Sequence, residues 1–239
     1  MTRTVIVTGA AGGVGRAAVA RFAGAGDRVV AVDRDAEGVR TLADRYDSVT
    51  GVAADVTDPD DVARVIAAAG EVHVLVNNAG VIDRLGRAHE AGLDEWNRLL
   101  AVNLTGPYLF CHEVLPGMLE RGGGVIVNVA SVAGLRGGRA GAAYTASKHG
   151  LVGLTLNIAA TLGDQGIRSN VVCPGSIRTG MQVVDHVFPA AAEGLQRDRR
   201  KPPPAEADEI VDAIVYLASP QASRINGTAL PVDGGFIAY

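Results

Sequence analysis

The chain alternates short runs rich in β-branched residues with longer stretches whose apolar positions recur at helical spacing. Several short runs are apolar throughout, including residues 74–76 and 125–127, which is typical of strands covered on both faces by helices. The strands are predicted at residues 5–7, 28–32, 49–53, 72–76, 125–129, 169–172 and 229–232. The helices are predicted near residues 14–24, 36–45, 59–68, 94–119, 144–163 and 205–218.

Strands that alternate with helices form βαβ units, and the right-handed crossovers of these units leave few topologies open. The pattern therefore predicts an α/β fold: a doubly wound, Rossmann-like sheet of seven parallel strands with helices on both faces. No stretch has the composition of a linker and no internal repeat is present. We therefore expect residues 1–239 to form a single domain.

Residues 180–204 interrupt this rhythm and end in Lys201-Pro202-Pro203-Pro204, which cannot lie inside a helix. We interpret the segment as a mobile lid over a substrate, with an irregular surface loop as the alternative. Its apolar residues either line a pocket or pack on the base of the lid, and both interpretations stay open; these residues are Met181, Val183, Val184, Val187 and Phe188.

Composition and charge narrow the range of functions. The chain is 48% hydrophobic and carries 22 basic against 26 acidic residues, which excludes disorder as the main state and argues against a nucleic-acid partner. Its longest apolar runs fall short of the ~20 residues that cross a bilayer. The 5 histidines have no zinc-site spacing, and the 2 cysteines suit buried thiols better than a redox pair. Because the first predicted strand leaves no room for a signal peptide, we expect a cytoplasmic protein without membrane contact or structural metal.

A glycine-rich turn follows the first predicted strand. Gly9, Gly13 and Gly15 allow a tight turn into a helix and remove side chains where a pyrophosphate approaches. The helix begins near Val14, so its free N–H groups and positive dipole end point at the phosphates. This combination predicts the phosphate end of a dinucleotide site, with a turn that binds no ligand as the alternative.

Asp33 ends the second predicted strand, 18 positions beyond Gly15. An acid at about this spacing accepts hydrogen bonds from the adenosine ribose and repels a 2′-phosphate, which favours NAD over NADP. Arg34 follows at once and could pair with that phosphate. Neighbouring side chains point to opposite faces of a strand, so we give Asp33 the greater weight and expect NAD.

Ser131 lies at the end of the fifth predicted strand, and Tyr144 and Lys148 are four residues apart on the helix that follows. That spacing places the phenol and the ammonium on one helix face. A free phenol has a pKa near 10. We expect the ammonium, together with a positive nicotinamide ring, to lower the pKa of Tyr144 so that the residue exchanges a proton with a substrate hydroxyl or carbonyl.

The sequence resembles the short-chain dehydrogenase/reductase family over essentially its whole length. The matching motifs occur in the family's order and are Thr8-Gly9-x-x-x-Gly13-x-Gly15, Asp55-Val56, Asn77-Asn78-Ala79-Gly80, Asn103, Ser131, Tyr144-x-x-x-Lys148, Pro174-Gly175 and Asp233-Gly234-Gly235. One departure is Ser169, where the family usually has an aliphatic residue, and the sequence gives no functional account of it.

The resemblance implies roles for these residues. Asn103 completes the catalytic set with Ser131, Tyr144 and Lys148 and steadies a water that links the lysine to solvent. Lys148 also binds the nicotinamide ribose. The other implied cofactor contacts are Asp55 and Val56 at the adenine, Asn78, Ala79 and Gly80 near the adenosine half, Pro174 and Gly175 after the sixth strand, and Ile177 and Thr179 at the nicotinamide carboxamide and phosphates.

The resemblance also implies a homotetramer that pairs helices 94–119 and 144–163 between subunits. We expect an enzyme that transfers hydride between NAD(H) and a small hydrophobic or alicyclic secondary alcohol or ketone. Reduction of 3-oxoacyl groups on acyl carrier protein with NADPH is the alternative, for which Arg136 and Arg139 offer some docking charge. A catalytically silent nucleotide sensor would have lost Tyr144 or Lys148, and both are present.

Overall fold

The computed structural model of this chain describes residues 2–178 and 202–238. The strands are β1 (Thr4–Thr8), β2 (Arg28–Asp33), β3 (Val49–Ala53), β4 (Val74–Asn77), β5 (Gly124–Val129), β6 (Ile167–Pro174) and β7 (Ala229–Val232). The α-helices are α1 (Gly13–Gly24), α2 (Ala36–Arg45), α3 (Pro59–Ala69), α4 (Leu93–Leu100), α5 (Gly106–Glu120), α6 (Ala142–Leu162) and α7 (Ala207–Leu217). Strand and helix boundaries differ from the predicted ones by only a few residues, except at 94–119.

All seven strands pair in parallel, in the order β3-β2-β1-β4-β5-β6-β7. This confirms the predicted seven-stranded, doubly wound sheet. The chain reverses its winding between β1 and β4, and the carboxyl ends of these two strands open a crevice at this point. In open α/β sheets such a crevice is where ligands bind.

Apolar side chains cover both faces of the sheet. On one face, α1, α2 and α7 bury residues such as Phe22, Leu42 and Ile214 against the strands. On the other, α3, α5 and α6 bury residues such as Val65, Phe110 and Ile158. Because both faces are dry, the central strands carry apolar side chains on each side, which explains their continuous apolar runs.

The predicted helix at 94–119 is interrupted. Residues 101–105 form a π-helical turn between α4 and α5, in which the Gly106 N–H bonds the carbonyl of Ala101, five residues earlier. Pro107 has no N–H, so the carbonyl of Asn103 lacks the donor that α-helical pairing would give it. The widened turn thus places Asn103 at a break in the helical bonding, and breaks of this kind are frequent at functional sites.

Most of the predicted lid, residues 180–201, lies outside the described residues, as do all five of its apolar pocket candidates. Residues 202–204 are described and precede an isolated bridge between Ile177 and Ala205. Within the described part of the chain, none of the helices combines the length and apolar character that a membrane crossing needs.

Candidate active site

The glycine-rich turn after β1 is closed by its own backbone. Gly9 has a φ of 65°, in the left-handed region that favours glycine. Gly12 donates its N–H to the carbonyl of Gly9 at 3.2 Å, and α1 begins at the next residue, Gly13. A Cβ on Gly15 would overlap that same carbonyl oxygen, so α1 approaches the turn more closely than any side chain allows. Val14 is buried beneath the turn.

Asp33 faces this turn from the end of β2. Its Oδ2 accepts the Ala11 N–H at 3.0 Å, and its Oδ1 accepts the Asp35 N–H at 3.0 Å. Each carboxylate oxygen retains lone pairs for further donors. Arg34 is exposed. The carboxylate therefore lies where the sequence predicted it, next to the glycine-rich turn.

At the end of β3, Asp55 is exposed and its Oδ1 accepts bonds from the backbone N–H and the hydroxyl of Thr57, at 2.8 and 2.7 Å. Val56 is buried, and a Cβ on Gly106 would lie 3.0 Å from the Val56 carbonyl oxygen. The pair thus fixes the turn before α3 and supports the start of α5.

The turn after β4 is fastened to the end of β1. The Thr8 hydroxyl accepts the N–H groups of Asn78 and Ala79 at 3.0 and 3.1 Å, and the Asn78 amide donates to the carbonyls of Thr8 and Gly9 at 2.9 and 3.1 Å. Gly80 lies beyond this region. A Cβ on it would stand 3.4 Å from both the Asn103 Oδ1 and the Lys148 Nζ. The turn therefore reaches past the adenosine half, to which the sequence assigned all of it, and ends beside the predicted catalytic residues.

Ser131 and Tyr144 meet across the carboxyl edge of the sheet. The Ser131 Oγ accepts the Ala133 N–H at 3.1 Å, so this hydroxyl also caps the short turn that follows β5. Tyr144 is partly buried. Loss of water raises the pKa of its phenol to about 12, the Ser131 hydroxyl opposes the rise, and the negative charge of Asp83 adds to it. In the protein alone, loss of water thus outweighs the neighbouring groups, whereas the predicted fall in this pKa included a positive nicotinamide ring.

Lys148 lies one turn along α6 from Tyr144 and is buried. Its Nζ donates to the carbonyl of Val129 at 2.9 Å and stands 5.7 Å from the centroid of the tyrosine ring. Burial lowers the pKa of the lysine to about 8. A lysine in this state gains or loses a proton close to neutral pH.

The side chain of Asn103 is occupied by the protein itself. Its Oδ1 accepts the Val81 N–H at 2.8 Å, and its Nδ2 donates to the Val81 carbonyl at 2.9 Å and to the Ser147 hydroxyl at 3.1 Å. The amide therefore holds the turn after β4 against α6. The main-chain carbonyl of Asn103 lacks the α-helical donor that position 107 would supply, because that residue is proline.

Comparisons with known proteins agree with this arrangement. The profile of a family described as enoyl-(acyl carrier protein) reductase matches residues 9–237. The 3beta-hydroxysteroid dehydrogenase 2 of Eggerthella lenta is 39% identical over 251 residues, which cover 99% of this chain and 95% of that protein. The 2-(R)-hydroxypropyl-CoM dehydrogenase of Xanthobacter autotrophicus is 39% identical over 249 residues, with 100% of both chains covered.

The chain belongs to the short-chain dehydrogenase/reductase family. A solved 3-ketoacyl-(acyl-carrier-protein) reductase from Brucella melitensis, complexed with NADH, superposes with a TM-score of 0.86 at 33% identity and covers 98% of each chain. As a member of this family, the chain is an NAD(P)-dependent alcohol dehydrogenase or carbonyl reductase.

In this short-chain dehydrogenase, the remaining predicted residues follow β6. Pro174 ends that strand and is buried, and the Gly175 N–H donates to the carbonyl of Val232 at 3.1 Å. A Cβ on Gly175 would press on Asp233 at 3.1 Å. Ile177 forms the bridge to Ala205. Thr179 lies outside the described residues.

Sequence reasoning missed several residues of this short-chain dehydrogenase that hold α6 in place. A chain of buried side chains runs from Asn77 through Asn128 to Thr155 on α6, with hydrogen bonds of 2.9 and 2.8 Å. Asn77 was within a recognised motif, but Asn128 and Thr155 carry no local signal. Asp83, which follows β4 in the chain and is buried against the first turn of α6, was also missed.

Arg139 lies in the segment between β5 and α6. Its guanidinium lies 4.1 Å from the centroid of the Phe236 ring, which follows β7.

Proposed function

We propose that this protein is an NAD-dependent dehydrogenase of a small hydrophobic or alicyclic secondary alcohol, acting reversibly on the matching ketone, with Tyr144 as the general acid and base. The observation that carries the proposal is the arrangement of three groups: the Tyr144 phenol, the Lys148 Nζ at 5.7 Å from the centroid of the tyrosine ring, and the Ser131 hydroxyl, which lowers the pKa of the phenol. These three groups lie at the same edge of the sheet as the glycine-rich turn.

The residues present fit a nicotinamide dinucleotide. The close backbone contact between Gly9 and Gly15 keeps side chains away from the start of α1, and the N–H groups that begin α1 suit the charge of a pyrophosphate. Asp33 has lone pairs for the adenosine ribose hydroxyls, and Asp55 and Val56 stand at the neighbouring strand end for the adenine. When bound, the cofactor accepts or supplies the hydride. We assign the nicotinamide end to Lys148, Gly175, Ile177 and Thr179, and we assign the intervening contacts to Gly13, Val14, Asn78, Ala79, Gly80 and Pro174.

The proton follows a path through the chain's own groups. In the oxidative direction, Tyr144 takes the proton of the substrate hydroxyl while Ser131 holds the same oxygen by a hydrogen bond. Lys148, whose pKa lies at about 8, passes a proton between the phenol and a water on the main-chain carbonyl of Asn103. In the reductive direction, the same groups return the proton to the carbonyl oxygen.

The direct test is NADH fluorescence with a panel of cyclic and acyclic secondary alcohols and their ketones. We expect turnover with at least one pair and a fall in kcat of about 10²–10⁴-fold for Tyr144→Phe, because that variant keeps the ring and loses the acid–base group. Tyr216→Phe, on an exposed part of α7, serves as the matched control and keeps full activity. Equal turnover by wild type and Tyr144→Phe would exclude the assignment.

We propose NAD rather than NADP because the Asp33 carboxylate, and not the exposed Arg34, faces the glycine-rich turn. The measurement is the ratio of kcat/KM for NADH and NADPH in wild type and in Asp33→Ser. We expect NADH to be preferred by about 10-fold or more, and the preference to shrink or reverse in the variant, where Arg34 meets no competing charge. A wild type that prefers NADPH would overturn the choice.

Reduction of 3-oxoacyl groups on acyl carrier protein with NADPH is the second candidate. It is supported by the likeness to the Brucella melitensis reductase and by Arg136 and Arg139 on the segment before α6, which offer charge to an acidic carrier. Titration with acyl carrier protein discriminates between the two: saturable binding that weakens in Arg136→Ala favours the carrier-bound substrate. The similarity to the hydroxysteroid dehydrogenase favours an alicyclic substrate.

We further propose a cytoplasmic homotetramer. Exposed apolar side chains on the helices expected to pair between subunits support it, namely Leu93, Trp96, Tyr108 and Leu156. Analytical ultracentrifugation tests it: a species of about four chain masses is expected, and a monomer at micromolar concentration would contradict the assembly.

A further inference from the structure

A buried carboxylate caps the catalytic helix from a distant part of the chain. Asp83 lies in the segment after β4 and is 2% exposed. Its Oδ2 accepts the Tyr144 N–H at 3.0 Å, and its Oδ1 accepts the Gly141 N–H at 3.2 Å and the Leu85 N–H at 3.1 Å. The first turn of α6 thus receives a side-chain acceptor from about 60 residues earlier in the sequence.

Two other helices of this protein obtain a cap from the residue that precedes them. Asp35 accepts the Gly38 N–H at the start of α2, and Asp58 accepts the Asp60 N–H at the start of α3. The residue before α6 is Gly141, which has no side chain to offer, and a Cβ there would overlap Asp83 Oδ2. The glycine therefore makes room for the carboxylate that replaces its missing cap.

The segment that carries Asp83 is held in a strained shape. Leu85 has a φ of 62°, a left-handed conformation that is costly for a leucine. The next residue, Gly86, accepts the Ala142 N–H at 2.9 Å. Together, Asp83 and Gly86 accept hydrogen bonds from three backbone N–H groups at the start of α6, those of Gly141, Ala142 and Tyr144. Strain of this kind persists where the surrounding contacts enforce it, and here the contacts are those with the catalytic helix.

We propose that Asp83 is a positioning residue that fixes the Tyr144 end of α6 through its hydrogen bonds to the Gly141 and Tyr144 N–H groups, and that its charge acts on the Tyr144 phenol as well as on the backbone. The inference rests on the proposed role of Tyr144. It adds a consequence for the reaction: the carboxylate opposes ionisation of the phenol, and a positive nicotinamide ring would offset that charge.

The groups that face this site come from every neighbouring element. Lys148 approaches from α6 itself, Ser131 from the end of β5, and Cys173 from β6 beside the lysine. Next to Asp83, Arg84 pairs with Glu95 of α4 at 3.2 Å. The charge of Asp83 adds to the raised pKa of Tyr144, after burial and against the hydrogen bond of Ser131. The lysine does not remove this effect, since burial also lowers its own pKa to about 8.

The test needs no substrate. Protein labelled with tyrosine carrying ¹³C at the ring Cζ is titrated by NMR from pH 7 to 11, and the Tyr144 signal is assigned by its loss in Tyr144→Phe. With a pKa of about 12, roughly one tenth of the Tyr144 phenol is ionised at pH 11 in wild type. In Asp83→Asn we expect the midpoint to fall by about half a pH unit, so that roughly one quarter of the phenol is ionised at pH 11.

Asp27→Asn is the matched control. Asp27 is also a buried carboxylate, but it pairs with Arg3 before β2 and so lies at the opposite edge of the sheet. This variant should lose stability without moving the Tyr144 midpoint. Should Asp83→Asn fail to fold, Asp83→Ser keeps an acceptor oxygen without the charge and gives the same measurement.

Two results would overturn the inference. One is a wild-type Tyr144 signal that titrates near pH 10, like free tyrosine. The other is an Asp83 variant with the wild-type degree of ionisation at pH 11, which would leave Asp83 a purely structural cap. Either result leaves the proposed enzyme activity intact, because that activity fails only if Tyr144→Phe turns over substrate as wild type does.

Discussion

At the nucleotide end of the crevice, the close contacts are made by main-chain atoms around Gly9 and Gly15, whereas at the catalytic end they are made by buried polar side chains. The nucleotide end requires glycine, because a Cβ at either Gly9 or Gly15 would overlap the backbone. The catalytic end buries ionisable side chains, and this burial moves the pKa values of Tyr144 and Lys148 to about 12 and 8.

This difference predicts opposite responses to substitution. At the glycine end, stability and binding depend on the same close backbone contacts, so a side chain there harms both. At the catalytic end, burial disfavours the Lys148 ammonium, so removal of that group should abolish activity and make the fold more stable.

The largest effect is expected for Gly15→Ala. The new Cβ would overlap the carbonyl of Gly9, and relief requires moving α1 or the turn, at a cost of about 3 kcal/mol or more. Thermal unfolding and NADH titration should show losses in stability and in binding together. Gly24→Ala at the end of α1 is the control, because its Cβ would meet no atom of the described residues within 4 Å. A Gly15→Ala protein with wild-type stability would contradict the account.

A smaller effect, of opposite sign, is expected for Lys148→Met in the free protein. Burial lowers the lysine pKa to about 8 from its usual ~10.4, so the folded state disfavours the ammonium. That penalty is complete below pH 8 and fades as the pH rises towards 10. The variant should therefore be more stable by about 2 kcal/mol at pH 7 and show little gain at pH 10.

Denaturant unfolding at several pH values measures this gain. Arg40→Met, which removes an exposed cation paired with Glu37 on α2, should show no such dependence on pH. A gain for Lys148→Met that stays constant from pH 7 to 10 would show that packing and not charge is responsible.

The smallest effect is expected at Ser169, a buried polar residue of β6 for which the sequence gave no functional account. Among the described residues, its Oγ has no hydrogen-bond partner, and its strand position pairs with Ile126 of β5. Ser169→Ala should raise stability by about 1 kcal/mol and leave kcat unchanged. Loss of activity in this variant would mean that the hydroxyl serves the site after all.

Residue periodicity was sufficient to predict the sheet and the position of the crevice. Continuous apolar runs identified the central strands, and the four-residue spacing of Tyr144 and Lys148 placed both on one face of α6. The environment of these groups could not be predicted, because the sequence does not show how much water a folded site excludes. The sequence therefore gave no sign that burial alone raises the pKa of the Tyr144 phenol.

Contacts between segments that are far apart in the sequence could not be predicted either. The hydrogen bond between Asp83 and the start of α6 joins segments about 60 residues apart, and no motif spacing points to it. Gly80 was assigned to the adenosine half because its neighbours belong there, although the backbone carries it to within reach of Lys148. The π-helical turn was missed because its residues continue the apolar pattern of the helices on either side.

That turn has a consequence for how the chain length can change. A π-helical turn bonds residues five apart and so holds one residue more than an α-helical turn, which bonds residues four apart. Deleting one residue from 101–105 would therefore restore an α-helical turn and leave Phe110, Cys111 and Val114 buried against the sheet. A deletion within α5 itself would rotate the residues beyond it by about 100° and turn these side chains towards solvent. In a scan of single-residue deletions, we expect those within 101–105 to keep the fold but displace Asn103, and those within α5 to unfold the protein.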